Sequence, residues 1–131
     1  MNDGEAGVPA TIDTERVLCA VEDLAEKRCR AFKLGEGPWP LSGFVVRKGS
    51  ALRAYQNRCP HAGHPLNLRP DCFLTPDGSL IVCSSHGALF EIDTGYCVDG
   101  PCAGASLVPI PVQVMAGHVM LAPGVDPAEF E

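Results

Sequence analysis

Two short stretches of the sequence each combine a cysteine with a nearby histidine. Cys59 and His61 are separated by one residue, and Cys83 and His86 by two. Thiolate and imidazole side chains are ligands for zinc and for iron–sulfur clusters. Each stretch follows a run of residues typical of a β-strand, so we expect two loops at the tips of two hairpins to face each other and hold one metal centre.

The order of the ligands bears on the kind of metal centre. Two cysteines and two histidines would satisfy a mononuclear zinc ion, but structural zinc sites usually take a pair of cysteines from one segment and a pair of histidines from another. Here each segment supplies one of each. If both cysteines bind one iron and both histidines bind a second, each loop spans a two-iron cluster.

The elements that must position these loops are predicted to be short and almost all β. Fourteen glycines and twelve prolines make 26 of the 131 residues, which favours turns and short strands over long helices. Residues 22–27 predict a turn or one short helical turn. Strands are predicted at 16–21, 28–34, 43–47, 51–57, 79–83, 89–92, 107–115 and 118–121, with a short one at 71–74.

The paired Cys–His motifs resemble those of the Rieske iron–sulfur family. The resemblance rests on the residues Cys59-Pro60-His61-x-Gly63 and Cys83-x-x-His86-Gly87, with Phe90, Gly95 and Gly100-Pro101 after them, and it covers roughly residues 16–122. It implies one [2Fe–2S] cluster, with Cys59 and Cys83 bound to one iron. His61 and His86 would then bind the other iron, closer to solvent.

The resemblance also implies a fold and a domain organisation. The fold is an all-β, small antiparallel Rieske-like β-sandwich, with a cluster-binding subdomain formed by two hairpin loops and covered on one side by the loop of Gly100 and Pro101. One departure is the 21-residue segment between His61 and Cys83, which is longer than is usual in the family. The predicted divisions are a flexible tail at 1–14, a Rieske domain at 15–122 with its cluster-binding subdomain at about 57–103, and a C-terminal tail at 123–131.

The surroundings of the ligands indicate a low-potential, ferredoxin-like subtype. High-potential Rieske proteins carry a further cysteine in each cluster loop, joined as a disulfide. His64 and Ser84 take those places here, so no loop disulfide is predicted. The high-potential proteins also place serine and tyrosine hydroxyls where this chain has Ala88 and Phe90. Fewer hydrogen-bond donors stabilise the reduced cluster less, which lowers the reduction potential.

A further group of residues is expected to surround the cluster without binding iron. His64 is the ambiguous member of this group. It could tune the potential, couple electron transfer to a proton or contact a partner, and it could equally be an exposed loop histidine. The members of the group are His64, Ser85, Gly87, Phe90 and Pro101.

The resemblance implies an electron carrier and not an enzyme. Such a ferredoxin takes one electron from a reductase and passes it to a terminal oxygenase or another redox enzyme, which performs the catalysis. Two alternatives remain open. The chain could be the small Rieske subunit of a larger oxidoreductase, similar to the nitrite reductase small-subunit branch, or it could be a zinc-stapled or redox-sensing β-domain.

Charge and hydropathy exclude other classes of function. The net charge is −6 and no lysine or arginine follows Arg69, which argues against binding to nucleic acid. No apolar run approaches the ~20 residues of a membrane span. The acidic start of the chain lacks the features of a signal peptide, so we expect a cytoplasmic protein without membrane partners.

Seven cysteines in a cytoplasmic protein favour metal binding over disulfides. Those outside the two motifs are expected to differ in role. Cys19 and Cys29 lie in apolar-rich strands and are predicted to be buried as small hydrophobic side chains. Cys97 and Cys102 flank the loop of Gly100 and Pro101, where a redox-sensitive pair is an alternative to simple burial.

Overall fold

The computed structural model describes residues 16–25, 28–35, 41–60, 65–67, 73–83 and 87–126. Within these residues the chain forms short antiparallel strands and one 3-10 turn, Val21–Leu24, so the predicted all-β class is confirmed. The strands are β1 Val17–Ala20, β2 Cys29–Leu34, β3 Leu41–Lys48, β4 Ala51–Gln56, β5 Leu80–Val82, β6 Leu89–Glu91, β7 Cys97–Asp99, β8 Val112–Met115 and β9 His118–Leu121.

The strands form three sheets of three strands each within the described part of the chain. The terminal sheet has the order β1-β9-β8, the central sheet β2-β3-β4 and the site sheet β5-β6-β7. The pairs of neighbouring strands in all three sheets run antiparallel. Because short connections join most sequential strands, each hairpin ends in a tight turn or loop.

The central sheet lies between two hydrophobic cores because side chains alternate between the faces of a strand. Phe44 on β3 and Tyr55 on β4 point into one core, while Val45 and Ala54 point into the other. The core shared with the site sheet is called the site core. Its buried members are Cys29, Phe44, Val46, Tyr55, Cys59, Leu66, Phe73, Ile81, Cys83, Ala88, Phe90, Ile92, Cys97, Cys102 and Leu107.

The core shared with the terminal sheet is called the base core. It is mainly aliphatic and contains one cysteine, Cys19. Cys19 and Cys29 are both buried, as the sequence predicts. The buried members of the base core are Leu18, Cys19, Leu24, Phe32, Leu41, Val45, Ala54, Ile110, Val119 and Leu121.

Aromatic side chains hold the site sheet against the central sheet. The rings of Phe44 and Phe73 stack with their centroids 4.3 Å apart and their planes 10° from parallel. The Tyr55 hydroxyl donates a buried 2.7 Å hydrogen bond to the carbonyl oxygen of Ile92. A side chain at Gly95, whose φ is +75°, would place its Cβ 2.7 Å from the Tyr55 ring. Glycine at this turn therefore allows the close approach.

Two predicted strands differ most from the structure, and one observed strand was not predicted. The predicted strand at 107–115 is regular only over β8, and Pro109 makes just an isolated bridge to Tyr55, because proline has no N–H to donate. Of the strand predicted at 71–74, Leu74 forms an isolated bridge to Ile81, while 71–72 lie outside the described residues. Strand β7 was not predicted, because three residues are too few to show the two-residue alternation of a β-strand.

None of the described residues forms a helix long and apolar enough to cross a membrane.

Candidate metal centre

Cys59 and Cys83 lie in the same core at the ends of two strands. Cys59 follows β4 by three residues, and Cys83 comes directly after β5. Both side chains are fully buried, with 0% exposure, and both belong to the site core. The structure thus brings together the two cysteines that the sequence predicts as ligands of one iron.

Hydrogen bonds close the loop that carries Cys83. Its backbone N–H donates to the carbonyl oxygen of Ala88 at 2.9 Å, and the N–H of Gly87 donates to the carbonyl oxygen of Cys83 at 2.8 Å. Gly87 has a φ of +73°, a conformation that glycine adopts readily. These two bonds tie Cys83 to Gly87 and Ala88 just before β6.

An asparagine closes the loop that carries Cys59. The Asn57 side-chain oxygen accepts a 2.8 Å hydrogen bond from the N–H of Leu66, and its amide nitrogen donates at 2.9 Å to the side-chain oxygen of Asn67. These bonds tie the two ends of the loop across residues 61–64. Sequence reasoning missed Asn57, because nothing local in the sequence marks a partner nine or ten residues away.

The predicted histidine ligands and two of the residues placed around them fall outside the described part of the chain. His61, His86, His64 and Ser85 are not among the described residues, so their roles stay predictions. Among the other residues predicted around the cluster, Gly87 and Pro101 are exposed and Phe90 is fully buried in the site core.

The loop of Gly100 and Pro101 packs against the loop that carries Cys83. A Cβ at Gly100 would lie 2.7 Å from the Cα of Ala88, and Gly100 has a φ of +101°. Only glycine fits so close an approach in this backbone conformation. That the loop covers one side of the cluster, as the resemblance implies, stays a prediction.

Two further thiols lie in the site core beside Cys59. The Cys102 Sγ donates to the Cys97 Sγ at 3.2 Å, and the Cys97 Sγ donates to the carbonyl oxygen of Asp99 at 3.2 Å. The pKa of the Cys102 thiol is raised to about 12. Burial is the largest cause, and the neighbouring thiols of Cys97 and Cys59 contribute less. The six described cysteines are all free thiols.

The donor set fits an iron–sulfur cluster. A buried thiolate without a compensating charge is costly, whereas iron binding stabilises it. Cys59 and Cys83 are buried in one apolar core, and each stands at the entrance to a segment that contains a predicted histidine ligand. Two such thiolates are what one iron of a mixed cysteine–histidine cluster takes from the protein.

Comparison with known proteins agrees with this chemistry. Residues 14–116 match the Rieske [2Fe-2S] domain. The carnitine monooxygenase oxygenase subunit of Acinetobacter pittii (strain PHEA-2) is 32% identical over 89 residues, which are 59% of this chain and 22% of that protein. The chain therefore spans about a fifth of the length of this relative.

Solved structures of two sizes share the fold. A chain in the complex of reduced oxygenase and oxidized ferredoxin in carbazole 1,9a-dioxygenase has a TM-score of 0.62 and 26% identity, over 81% of this chain and 99% of that chain. The Sphingomonas yanoikuyae B1 ferredoxin has a TM-score of 0.58 and 25% identity, over 80% and 94%. The terminal oxygenase of carbazole 1,9a-dioxygenase from Nocardioides aromaticivorans IC177 has a TM-score of 0.64 and 27% identity, over 85% and 30%.

Proposed function

Because this chain belongs to the Rieske [2Fe-2S] domain family, we propose that it is a Rieske-type ferredoxin that carries single electrons from a reductase to a terminal oxygenase or another redox enzyme. The observation that carries the proposal is the extent of the structural likeness. The likeness extends over 94% of the Sphingomonas ferredoxin, nearly the whole of that protein, and over 30% of the Nocardioides oxygenase.

The family binds one [2Fe–2S] cluster, which supplies one-electron redox chemistry. We place Cys59 and Cys83 on one iron and His61 and His86 on the other. The burial of both cysteines in the site core supports this assignment. The cluster-binding subdomain then corresponds to about 57–103 within a Rieske domain at 15–122.

The residues of the site core have two tasks in this function. They exclude water from the cysteine ligands, and they hold the two cluster loops in fixed positions. Asn57 closes the first loop through Leu66, and Gly87 closes the second through Cys83. A fixed ligand geometry in both redox states keeps the rearrangement on electron transfer small.

The proposed reduction potential lies in the lower part of the Rieske range. Ala88 and Phe90 are both fully buried and carry no hydroxyl group, so neither side chain can donate a hydrogen bond to a ligand sulfur. Without such donors, the additional negative charge of the reduced cluster is less stabilised. This supports a ferredoxin-like carrier rather than a high-potential respiratory component.

The first experiment is an anaerobic preparation assayed for iron, sulfide and zinc, with EPR spectra before and after dithionite. We expect two irons and two sulfides per chain, with a Rieske-type signal only after reduction. One zinc without sulfide, and no signal after anaerobic reconstitution, would contradict the proposal. Electron delivery is then tested by the rate at which the reduced protein reoxidises when a terminal oxygenase and its substrate are added.

The similarity to an oxygenase subunit favours a second candidate function. In that case the chain is a Rieske subunit that stays assembled with a larger oxidoreductase. Size-exclusion chromatography of the protein from its native host separates the two functions. A carrier elutes alone, whereas a subunit elutes with its catalytic partner at a fixed ratio.

A further inference from the structure

Two buried thiols face each other across the turn that follows β7. Cys97 is the first residue of β7, and Cys102 lies five residues later in the turn. Both belong to the site core, and their sulfur atoms are 3.2 Å apart. The sulfur atoms of a disulfide are about 2.05 Å apart, so these two need to approach by only about 1 Å to form one.

Backbone hydrogen bonds hold the two cysteines in this position. The N–H of Cys97 donates to the carbonyl oxygen of Ala105 at 2.8 Å, and the N–H of Ala105 donates to the carbonyl oxygen of Cys102 at 2.9 Å. Ala105 therefore ties both arms of the turn together. The contact between the two sulfur atoms follows from the path of the backbone as well as from the orientation of the side chains.

The residues between the two cysteines lie at the surface. Residues 98–101 are all exposed, and Gly100 has a φ of +101°. Local opening is easiest in segments with few buried apolar contacts. Opening of this turn admits a small reagent to the two thiols, which are only 1% and 7% exposed while the turn is closed.

We propose that Cys97 and Cys102 form a reversible disulfide bond in the folded protein by exchange with a low-molecular-weight disulfide such as oxidised glutathione. One cysteine attacks a sulfur of the reagent and releases one small thiol, and the second cysteine then displaces the other. The pair loses two electrons, the reagent is reduced to two thiols, and the two cysteine protons end on those thiols. Neither cysteine predicted to bind iron takes part, so this chemistry is additional to electron carriage.

The disulfide also restrains the turn against the loop that carries Cys83. A Cβ at Gly100 would lie 2.7 Å from the Cα of Ala88, and the carbonyl oxygen of Ala88 accepts the hydrogen bond from the N–H of Cys83. A covalent link between the two arms leaves the turn fewer open conformations. Iron should therefore be released to a chelator more slowly from the disulfide form than from the dithiol form.

The test equilibrates the full-length protein with glutathione buffers of increasing oxidised fraction, approached from both the reduced and the oxidised side. Free thiols are then blocked with N-ethylmaleimide in denaturant, and the chain is cut with endoproteinase Asp-N. Cleavage before each aspartate places Cys97 in fragment 93–98 and Cys102 in fragment 99–125. We expect these two fragments to be joined in nearly all molecules at the oxidised end and in nearly none at the reduced end.

Other patterns of fragments would overturn the inference. Fragments 93–98 and 99–125 that carry maleimide in every buffer would show that the pair does not oxidise. Fragment 99–125 joined to 23–70, which contains Cys59, or to 77–92, which contains Cys83, would show a different pairing. In protein that holds a cluster, a link that forms only as iron is lost would be a product of cluster breakdown.

Cys19→Ser is the matched control, because it removes a buried thiol from the base core and should leave the link between the two fragments intact. Cys97→Ser and Cys102→Ser should lose the link, and oxidised glutathione should no longer slow their iron release. If these variants do not fold, the mapping of the wild type decides. Equal rates of iron release from the dithiol and disulfide forms of the wild type would refute the restraint on the turn.

Iron and sulfide contents separate failure of this inference from failure of the proposed function. A wild-type protein without iron and sulfide would refute the function, and the link between the two fragments would still decide whether the pair oxidises. Full iron and sulfide contents with no link in any buffer would refute only the disulfide.

Discussion

The site core and the base core are equally well buried but are built from different side chains. Five of the six described cysteines lie in the site core, together with the stacked rings of Phe44 and Phe73. The base core is mainly aliphatic. The longer strands, β2, β3 and β4, run through the central sheet, whereas each strand of the site sheet has three residues. The central sheet thus supports both cores, one packed mainly by aliphatic side chains and the other by thiols and aromatic rings.

The largest expected effect is loss of the cluster while the base core stays folded. Cys83→Ser should abolish cluster assembly, because a serine hydroxyl does not replace a thiolate on iron, while the strands of the base core persist. Iron and sulfide assays and the visible spectrum measure the cluster, and far-UV circular dichroism measures the fold. Cys19→Ser is the matched control in the base core and should keep its cluster. A full-strength cluster spectrum in Cys83→Ser would refute the ligand assignment.

Two fully buried leucines, one in each core, sharpen the comparison. Leu66→Ala in the site core and Leu41→Ala in the base core should each lower the free energy of unfolding by about 2–5 kcal/mol, because each leaves a cavity. Of the two, Leu66 also donates, through its backbone N–H, the hydrogen bond to Asn57 that closes the first cluster loop. Urea titration gives the stabilities, and the rate of iron release to a chelator should rise more in Leu66→Ala. Equal rates of iron release in the two variants would show that the packing of the site core does not hold the cluster more than the packing of the base core does.

A hydroxyl introduced on each side of the central sheet tests the electrostatic difference. Phe90→Tyr should raise the reduction potential, since the new donor would stabilise the reduced cluster, and a tenfold change in the equilibrium corresponds to about 60 mV. Phe32→Tyr in the base core should leave the potential unchanged. Spectroelectrochemical titration measures both. An unchanged or lower potential in Phe90→Tyr would count against the low-potential explanation.

The smallest effect concerns an exposed carboxylate in the turn before β5. Hydrogen bonds from the hydroxyl of Thr75, and then from the N–H and hydroxyl of Ser79, lower the pKa of Asp77 to about 2. Its folded-state pKa lies below the unfolded value of 3.8, so its contribution to stability is present above about pH 4 and is lost as pH falls toward 2. NMR titration of the Asp77 carboxyl group should give this low midpoint, and Thr75→Ala should raise it. A midpoint near 3.8 in the wild type would contradict the bonded turn.

The parts of the structure that were predicted from the sequence are those with local signals. Alternating polar and apolar residues indicated β2, and two strand-like runs separated by a turn indicated the hairpin of β3 and β4. The two Cys–His stretches indicated where the cysteine loops begin. The missed feature depends on contacts more distant in sequence. Asn57 acts through partners nine and ten residues away, and no local pattern reveals them. Cys97 and Cys102, in contrast, were named from the sequence as a candidate pair, and their sulfur atoms are in contact.

The two-faced central sheet limits how the length of this chain can vary. In β3 and β4, neighbouring residues serve different cores, as Phe44 and Val45 do. Insertion or deletion of one residue within either strand would exchange the faces of all following side chains, sending aliphatic residues to the cluster side and rings to the base. A change of two residues would restore the alternation. The chain is longer than is usual in its family elsewhere, in the 21 residues between His61 and Cys83.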